Sequence, residues 1–285
     1  LRRVGYKVSE VDAGNDLPKE LGRLSPDIIF NALHGRYGED GCVQGLFEWL
    51  ELPYTHSGVQ ASALAMNKDI AKRIFKSDNL PVAESICASS ALAFSAHLME
   101  PPYVIKPVNE GSSVGVHLVL QDYDSFSISE KNFPDQVLVE KFIPGRELTT
   151  TIMNEQPLGV TDIITDKWYD YESKYNVGAS KHVFPANIPK EIYDACEDFA
   201  LRAHMALGCK GISRVDFRWD NSLGIDGLFL LEINTQPGMT PTSLSPEQAK
   251  EKGISGVPFF EIGKEFISGA QSILQLERVI KSNLS

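Results

Sequence analysis

Two apolar segments in the second half of the chain constrain the fold most, because each carries polar residues at alternate positions. They are GISRVDFRW (211–219) and GLFLLEIN (227–234), and the turn-rich stretch DNSLGID lies between them. Their β-branched and apolar composition predicts two strands joined by a turn. Residues two apart in a strand lie on one face, so Arg214 projects with Asp216, and Glu232 projects with Asn234.

If these two strands pair, three oxygen ligands converge: Asp216, Glu232 and Asn234. Two carboxylates and an amide oxygen suit a hard cation such as Mg²⁺, with Mn²⁺ as an expected substitute, and no cluster of His and Cys in the sequence competes for a softer metal. The alternative is that both carboxylates form ion pairs with Arg214 and Arg218 on a solvated face. Glu232 follows the apolar run LFLL, which is expected to be buried, so its carboxylate needs a partner or a metal.

The stretch KPVNEGSSVGV (106–116) raises the question of a phosphate site. It matches neither the Walker A pattern nor the dinucleotide pattern G-x-G-x-x-G. Its apolar, β-branched flanks place the glycines in a loop between two strands. One interpretation is a flap that closes over a phosphate, with hydroxyl donors from Ser112 and Ser113. The other is an ordinary hairpin loop rich in glycine and serine.

Two lysines are candidates for phosphate contacts. Mg²⁺ held by few protein ligands usually completes its coordination shell with substrate phosphates. Lys106 ends a strand just before the proposed flap, where its ammonium could meet a phosphate as a point charge. Lys68 lies on a predicted helix, and the alternative for this residue is a solvated surface lysine.

The remaining pattern predicts a mixed α/β chain without internal repeats. The first predicted elements are strands at 6–11 and 27–32 and a helix with Val43, Leu46, Phe47 and Leu50 on one face, which together form a parallel α/β layer. They are followed by a helix over 61–76, a strand after Pro81 and a hairpin around residue 110. The later ones are antiparallel strands at 147–153 and 157–164, a surface loop at 167–186, a helix between Pro189 and Gly208, a loop from Thr235 to Pro246, and a C-terminal helix.

The composition is that of a globular protein. A chain of 285 residues with 42% hydrophobic content can bury a large core and divide into two or three domains. Its net charge of -11 argues against a nucleic-acid backbone or an anionic membrane surface as the main partner, since both attract surplus Lys and Arg. No apolar run approaches 18 residues, and the four cysteines form no CxxC pair. A cytoplasmic protein is therefore expected.

Six blocks along nearly the whole chain resemble, in the same order, the D-alanine–D-alanine ligase family of the ATP-grasp superfamily. They are HGRYGEDGCVQG (34–45), PYTHSGVQASALAMNKDIAK (53–72), KPVNEGSSVGV (106–116), YDYESKY (169–175), LGCKGISRVDF (207–217) and LEINTQPGMTPTSL (231–244). The resemblance implies an α/β (α+β) protein with the ATP-grasp fold. An N-terminal parallel α/β domain (1–57) precedes two α+β domains (58–139 and 140–285) that enclose ATP.

The resemblance also implies the reaction. The family uses the γ-phosphate of ATP to convert the carboxylate of one D-alanine into an acyl phosphate, and the amine of a second D-alanine then displaces phosphate. The product is a dipeptide used in peptidoglycan precursors. D-Alanine and ATP are thus the expected ligands, and a homodimer is the expected assembly.

Residue roles follow from position in these blocks. Lys68 and Lys106 match the phosphate-contacting lysines, and Asp216, Glu232 and Asn234 match the metal ligands. Six further residues match nucleotide-binding positions of the family. These positions lie in the flap, the adenosine-binding strand, the hinge and the long surface loop, and the residues are Ser113, Glu140, Lys141, Ile143, Glu147 and Lys174.

Other matches concern the amino-acid substrates. Arg214 and the backbone N–H of Gly238 match the groups that stabilise the oxyanion of the tetrahedral intermediate. Ser243 and Leu244 match residues that hold the second D-alanine, and His34 matches a histidine near the first. Ser112 and Tyr175 match the pair that locks the flap to the long loop, and the retained YDYESKY pattern favours an amine as the nucleophile.

The sequence departs from the family in three places. Nothing matches the glycine-rich loop whose glutamate helps to hold the first substrate, and the chain is expected to begin after it. Asn67 stands where the family often has Asp, and Trp168 stands where Phe is common. Two other functions stay open from sequence: an ATP-grasp ligase for other small acids, and a nucleotide-binding protein without ligase activity.

Overall fold

The computed structural model describes residues 2, 5–111, 115–120, 133–164, 181–240, 243–254, 260–262 and 265–267. The helices are α1 (Leu17–Leu24), α2 (Cys42–Trp49), α3 (Val59–Met66), α4 (Lys68–Ser77), α5 (Ser90–Ala93), α6 (Lys190–Leu207) and α7 (Leu244–Glu251). The strands are β1 (Ser85–Ser89), β2 (Tyr103–Pro107), β3 (His117–Val119), β4 (Gln136–Lys141), β5 (Arg146–Met153), β6 (Gln156–Ile164), β7 (Lys181–Val183), β8 (Ile212–Trp219), β9 (Leu228–Asn234), β10 (Phe260–Ile262) and β11 (Glu265–Ile267). Within these residues, no helix combines the length and the apolar content that crossing a bilayer requires.

A five-stranded antiparallel sheet, in the order β7-β6-β5-β8-β9, forms the larger core. Apolar residues of α3, α4 and α6 pack on one face, where Phe75, Leu148, Phe217 and Leu230 are fully buried. Burial of one such side chain contributes about 1.5–3 kcal/mol, so Phe75 contributes substantially to the packing of α4 against this sheet.

The opposite face of the same sheet is covered by α7 through polar contacts. The register between β5 and β6 shifts at Thr151, and such a bulge leaves a backbone donor without a strand partner. Gln248 on α7 meets this need, because its Oε1 accepts from the Thr151 N–H at 2.9 Å. Its Nε2 donates to the carbonyl of Thr149 and to Oγ1 of Thr161.

A second, four-stranded sheet has the order β1-β4-β2-β3, with antiparallel neighbours. The predicted hairpin is confirmed, since β2 pairs with β3 on either side of the glycine- and serine-rich loop. All five residues of β2 are buried. Tyr103, Ile105, Val137 and Val139 form a separate core with the aromatic ring of Phe94.

The N-terminal region differs from the predicted parallel layer. Residues 6–11 and 27–32 form no strand. Among the described residues of this region, the parallel pairing is a single bridge between Ile29 and Tyr54. An extended segment becomes a strand only when a neighbouring strand pairs with its backbone, and the described part of the chain shows no strand pairing for residues 6–11. The predicted helix is confirmed as α2, which buries Val43 and Phe47.

The single helix predicted over 61–76 is wrong, because it divides into α3 and α4 at Asn67. Asn67 has extended backbone angles, and its side chain accepts from the Ile70 N–H at 3.0 Å. Asparagine is a favoured N-cap for this reason. The break makes Lys68 the first residue of α4.

Two predicted loops are also shorter than expected. Residues 165–180 lie outside the described part of the chain, but Lys181–Val183 forms β7 beside β6. The helix α7 begins at Leu244 rather than after Pro246. Proline is tolerated in the first turn of a helix, where the backbone N–H groups have no partner within the helix.

Candidate active site

The strands β8 and β9 pair as predicted and bring four polar residues together. Asp216 lies opposite Glu232, and Arg214 lies opposite Asn234. Residues directly opposite in an antiparallel pair have Cβ atoms about 4.5–5.5 Å apart. Asp216, Glu232 and Asn234 therefore form one oxygen-rich group on the five-stranded sheet, which we name the carboxylate patch.

Asp216 is held on this patch by a planar ion pair. Arg214 donates from Nε to Oδ1 at 2.9 Å and from Nη2 to Oδ2 at 2.8 Å. On the neighbouring strand β5, the Thr149 hydroxyl donates to Oδ1 at 2.6 Å. Both charged side chains are largely buried. The ion pair that the sequence offered as an alternative is thus present between Asp216 and Arg214, whereas Arg218 contacts the segment between β4 and β5.

Lys68 is buried and lies between the two sheets. Its backbone N–H donates to the carbonyl of Val108 at 3.0 Å, just after β2. Its Nζ donates to the carbonyl of Glu110 and lies 3.3 Å from Oε2 of Glu232. A lysine at a helix N-terminus opposes the helix dipole, so these oxygen partners offset an otherwise unfavourable position. The alternative of a solvated surface lysine is wrong.

A buried carboxylate on the four-stranded sheet carries two lysines. Glu140 Oε1 accepts from Lys106 Nζ at 2.7 Å, and Oε2 accepts from Lys72 Nζ. Burial by itself raises the pKa of Glu140, but the charges of Lys106 and Lys72 outweigh it and hold that pKa below its usual value. Burial lowers the pKa of Lys72 to about 8, against the opposing effect of Glu140. We name Lys72, Lys106 and Glu140 the lysine–glutamate cluster.

The segment between β4 and β5 joins the two sheets and contains Ile143, while Lys141 ends β4 and Glu147 lies near the start of β5. Lys141 is exposed at the end of β4, and Ile143 is buried. Arg218 donates from Nε to the carbonyl of Ile143 and from Nη2 to the carbonyl of Gly145, both at 3.0 Å. Its Nη1 lies 3.8 Å from Oε2 of Glu147. Arg218 therefore fixes the junction rather than the carboxylate patch.

The loop after β9 reaches the N-terminal region through Gln236. The Asn234 Oδ1 accepts from the Gln236 N–H at 2.9 Å, so the two residues are locked together. The Gln236 Nε2 donates to the carbonyl of Asn31, and the Asn31 Nδ2 lies 3.5 Å from the Gln236 Oε1. Both side chains are 2% exposed.

The predicted substrate residues Ser243 and Leu244 follow this loop in the sequence, whereas His34 lies in the N-terminal region. A Cβ at Gly238 would come within 2.8 Å of the Ser243 Oγ, so glycine permits a close approach there. Ser243 also contacts the backbone and hydroxyl of Thr240, and Leu244 is buried as the first residue of α7. His34 is about half exposed, and its hydrogen bond to Glu39 raises its pKa.

Four predicted residues lie outside the described part of the chain: Ser112, Ser113, Lys174 and Tyr175. Conversely, Lys72, Thr149 and Gln236 contribute contacts that the sequence prediction missed. One signal for Lys72 is present in the sequence, because Lys68, Ala71, Lys72 and Phe75 occupy one helical face. A lysine between apolar residues on a buried face needs an anionic partner.

Known proteins resemble this chain along most of its length. The family model "D-ala D-ala ligase N-terminus" matches residues 7–57, and "D-ala D-ala ligase C-terminus" matches residues 83–260. A D-alanine–D-alanine ligase of Ruegeria sp. (strain TM1040) is 59% identical over 90% of this chain and 83% of that protein. The structure of the Bacillus anthracis D-alanine–D-alanine ligase complexed with ATP has a TM-score of 0.69 at 28% identity and covers 94% of this chain and 83% of that one. The VanG D-Ala:D-Ser ligase from Enterococcus faecalis has a TM-score of 0.69 at 32% identity, over 80% of this chain and 69% of that one.

The four-stranded sheet carries the buried Lys106, and the five-stranded sheet carries the paired carboxylates. Together with the likeness to the ligase complexed with ATP, they define an ATP-grasp enzyme, a class of ADP-forming ligases. The family models cover more than half of the residues, and the Ruegeria relative is aligned over 90% of the chain. The chain belongs to the D-alanine–D-alanine ligase family.

Proposed function

We propose that the residues on the facing sheets carry out the family reaction in this chain. That reaction joins two D-alanine molecules to D-alanyl-D-alanine, converts ATP to ADP and phosphate, and supplies peptidoglycan synthesis. The observation that carries the proposal is the register of β8 and β9, which sets Asp216 opposite Glu232 and Arg214 opposite Asn234. Lys68 links this patch to the loop after β2.

In the first step, a carboxylate oxygen of one D-alanine forms a bond to the γ-phosphorus of ATP, and the bond from that phosphorus to the β-phosphate oxygen breaks. Phosphoryl transfer depends mainly on positioning and on neutralising the charge of the phosphates. Lys68 on α4 and Lys106 on β2 supply two ammonium groups. The junction from Glu140 to Glu147 is proposed to hold the adenosine, since it joins the sheets that would enclose the nucleotide.

In the second step, the amine of the other D-alanine attacks the carbonyl carbon of D-alanyl phosphate. The carbon–oxygen bond to phosphate breaks, phosphate leaves, and the nitrogen loses its proton to give the peptide bond. Arg214 and the N–H of Gly238 are proposed to stabilise the oxyanion of the tetrahedral intermediate. Arg214 is already oriented by its bidentate contact with Asp216. Ser243 and Leu244 are proposed to position the second D-alanine.

The residues of the carboxylate patch fit a magnesium ion. Asp216, Glu232 and Asn234 present hard oxygen donors from one sheet face, as Mg²⁺ prefers. Their present partners are the cationic groups of Arg214 and Lys68 and the backbone N–H of Gln236. When bound, Mg²⁺ would supply charge neutralisation at the phosphates.

Domain boundaries at residues 57 and 139, a homodimer and a cytoplasmic location are further parts of the proposal. The N-terminal family model ends at residue 57, which supports the first boundary. The second boundary falls between Val139 and Glu140 on β4, close to the junction of the two sheets.

The test is ADP release by the purified protein with Mg-ATP, using D-alanine, L-alanine, or D-alanine with D-serine or D-lactate. The account predicts ADP release with D-alanine alone and a product with the mass of the dipeptide. L-Alanine is the matched control, because only its stereocentre differs. ATP binding without any D-alanine-dependent ADP release would overturn the proposal and favour another substrate or a binding protein.

A further inference from the structure

The lysine–glutamate cluster holds more positive charge than its own hydrogen bonds require. Glu140 uses one carboxylate oxygen for Lys106 and the other for Lys72, so two ammonium groups share one carboxylate. With both lysines protonated, the cluster has a net charge of +1. Lys72 and Glu140 are 2% exposed and Lys106 is 8% exposed. Solvent therefore does little to compensate the extra charge.

This arrangement is costly for folding alone. A single pair between Lys106 and Glu140 would leave no excess charge, whereas a third buried charge carries a desolvation penalty. The lowered pKa of Lys72 reflects that penalty. Costly buried charge of this kind often occurs where the charge acts on a ligand.

The position of Lys72 separates it from the two candidate phosphate contacts. Its side chain is 3% exposed, against 9% for Lys68 and 10% for Lys106. Lys72 follows Lys68 by one helical turn, but its ammonium binds Oε2 of Glu140, whereas Lys106 binds Oε1. It can therefore act on a nucleotide through Glu140 without touching it.

We infer that Lys72 is a positioning residue that sets the charge of the phosphate site, because it holds one oxygen of Glu140 and so leaves the ammonium of Lys106 only partly compensated. Without Lys72, Lys106 and Glu140 would form a neutral pair that attracts polyphosphate more weakly. The inference rests on the proposed function, since it places the ATP phosphates beside Lys106.

The test compares ADP with adenosine, measured by calorimetry on the whole protein. In Lys72→Met, ADP is expected to bind roughly tenfold more weakly, because one unit of positive charge is removed from a buried cluster that solvent screens little. Adenosine affinity is expected to stay within about twofold, because adenosine carries no charge for the cluster to act on. Lys76→Met is the matched control, since it removes an exposed lysine one turn further along α4, where solvent and salt screen the charge.

A second variant restores the charge rather than the contact. Lys72→Met combined with Glu140→Gln returns the cluster to a net charge of +1, so the ratio of ADP to adenosine affinity is expected to recover. Both affinities are expected to be lower than in the wild type, since Glu140 belongs to the proposed adenosine site. An equal loss for ADP and adenosine in Lys72→Met would show a structural role and overturn the inference. The inference would also be overturned if the ratio of ADP to adenosine affinity did not recover in the double variant.

A wild-type measurement keeps the inference testable if Lys72→Met does not fold. The charged groups that act on Lys72 are Glu140, Lys106 and Lys76. ADP affinity, but not adenosine affinity, is expected to fall as the pH rises through about 8, where Lys72 loses its proton. A pH-independent ratio would contradict the inference. A wild-type protein that binds neither ADP nor ATP would instead overturn the proposed function.

Discussion

The side-chain amide of Gln236 donates to the backbone carbonyl of Asn31, across 205 residues of sequence. The same Gln236 donates its backbone N–H to Asn234, a proposed metal ligand. One residue thus connects the carboxylate patch on β9 to the N-terminal region. Because Gln236 and Asn31 are buried, neither can exchange its partner for water at low cost.

Gln236→Ala is therefore expected to destabilise the protein by about 1–3 kcal/mol, the usual cost of leaving a buried polar group without its partner. Chemical denaturation measures this change. The exposed Gln60 on α3 provides the control, and Gln60→Ala is expected to have little effect. Equal stability of both variants would show that the contact between Gln236 and Asn31 contributes nothing.

Arg214→Ala is expected to lower turnover by roughly 10²–10³-fold, the typical loss for one oxyanion donor. The fold should persist, because Asp216 keeps its hydrogen bond from Thr149. Steady-state kinetics together with circular dichroism separates the two effects. Near-normal turnover would remove Arg214 from the proposed mechanism.

Glu232→Gln is expected to weaken the dependence of activity on Mg²⁺ and to reduce binding of Mn²⁺ as a spectroscopic probe. The amide keeps the size of the side chain but removes a charged donor and the ion pair with Lys68. Metal titration followed by electron paramagnetic resonance gives a readout that does not depend on turnover. Unchanged Mn²⁺ binding would reject Glu232 as a ligand.

Gly145→Ala is expected to disrupt the junction between the two sheets. Gly145 has a φ of +90°, and a Cβ there would lie 2.2 Å from the carbonyl oxygen of Trp219. The control is Gly208→Ala, because Gly208 has a φ of +69° but no neighbour within 4 Å of the added Cβ. The control should lose only about 1–2 kcal/mol for its backbone conformation, and Gly145→Ala should lose more. Equal thermal stability of the two variants would contradict this reading of the junction.

The stability of the protein is expected to fall as the pH decreases from about 6.5 to 4. Burial lowers the pKa of His204 to about 4, and the ring contacts the Ser213 hydroxyl at 2.7 Å. In this window the unfolded chain binds a proton that the folded chain does not, so the free energy of unfolding decreases on acidification, by about 3 kcal/mol for one such histidine. His204→Asn should reduce that slope in denaturation at several pH values. Identical slopes for the wild type and the variant would contradict the assignment.

The pairing of β8 with β9 could be predicted from sequence because its signal is local. Alternating polar residues on two short segments beside a turn specify which faces meet. The division of the helix at Asn67 was missed, since an N-cap depends on one side-chain hydrogen bond that the hydrophobic period does not reveal. The contact of Lys72 with Glu140 spans 68 positions of sequence, and the contact of Gln236 with Asn31 spans 205. Such distant pairs depend on packing rather than on any local pattern.

The most direct test of the account uses D-alanine labelled with ¹⁸O in its carboxylate, with mass analysis of the released phosphate. A carboxylate oxygen that attacks the γ-phosphorus stays bound to that phosphorus, and it leaves with the phosphate when the amine of the second D-alanine displaces phosphate from the acyl carbon. The account therefore predicts one ¹⁸O atom in the inorganic phosphate for each dipeptide formed. Dipeptide formation with unlabelled phosphate would contradict the acyl phosphate route and the roles assigned to Lys68, Lys106 and Arg214.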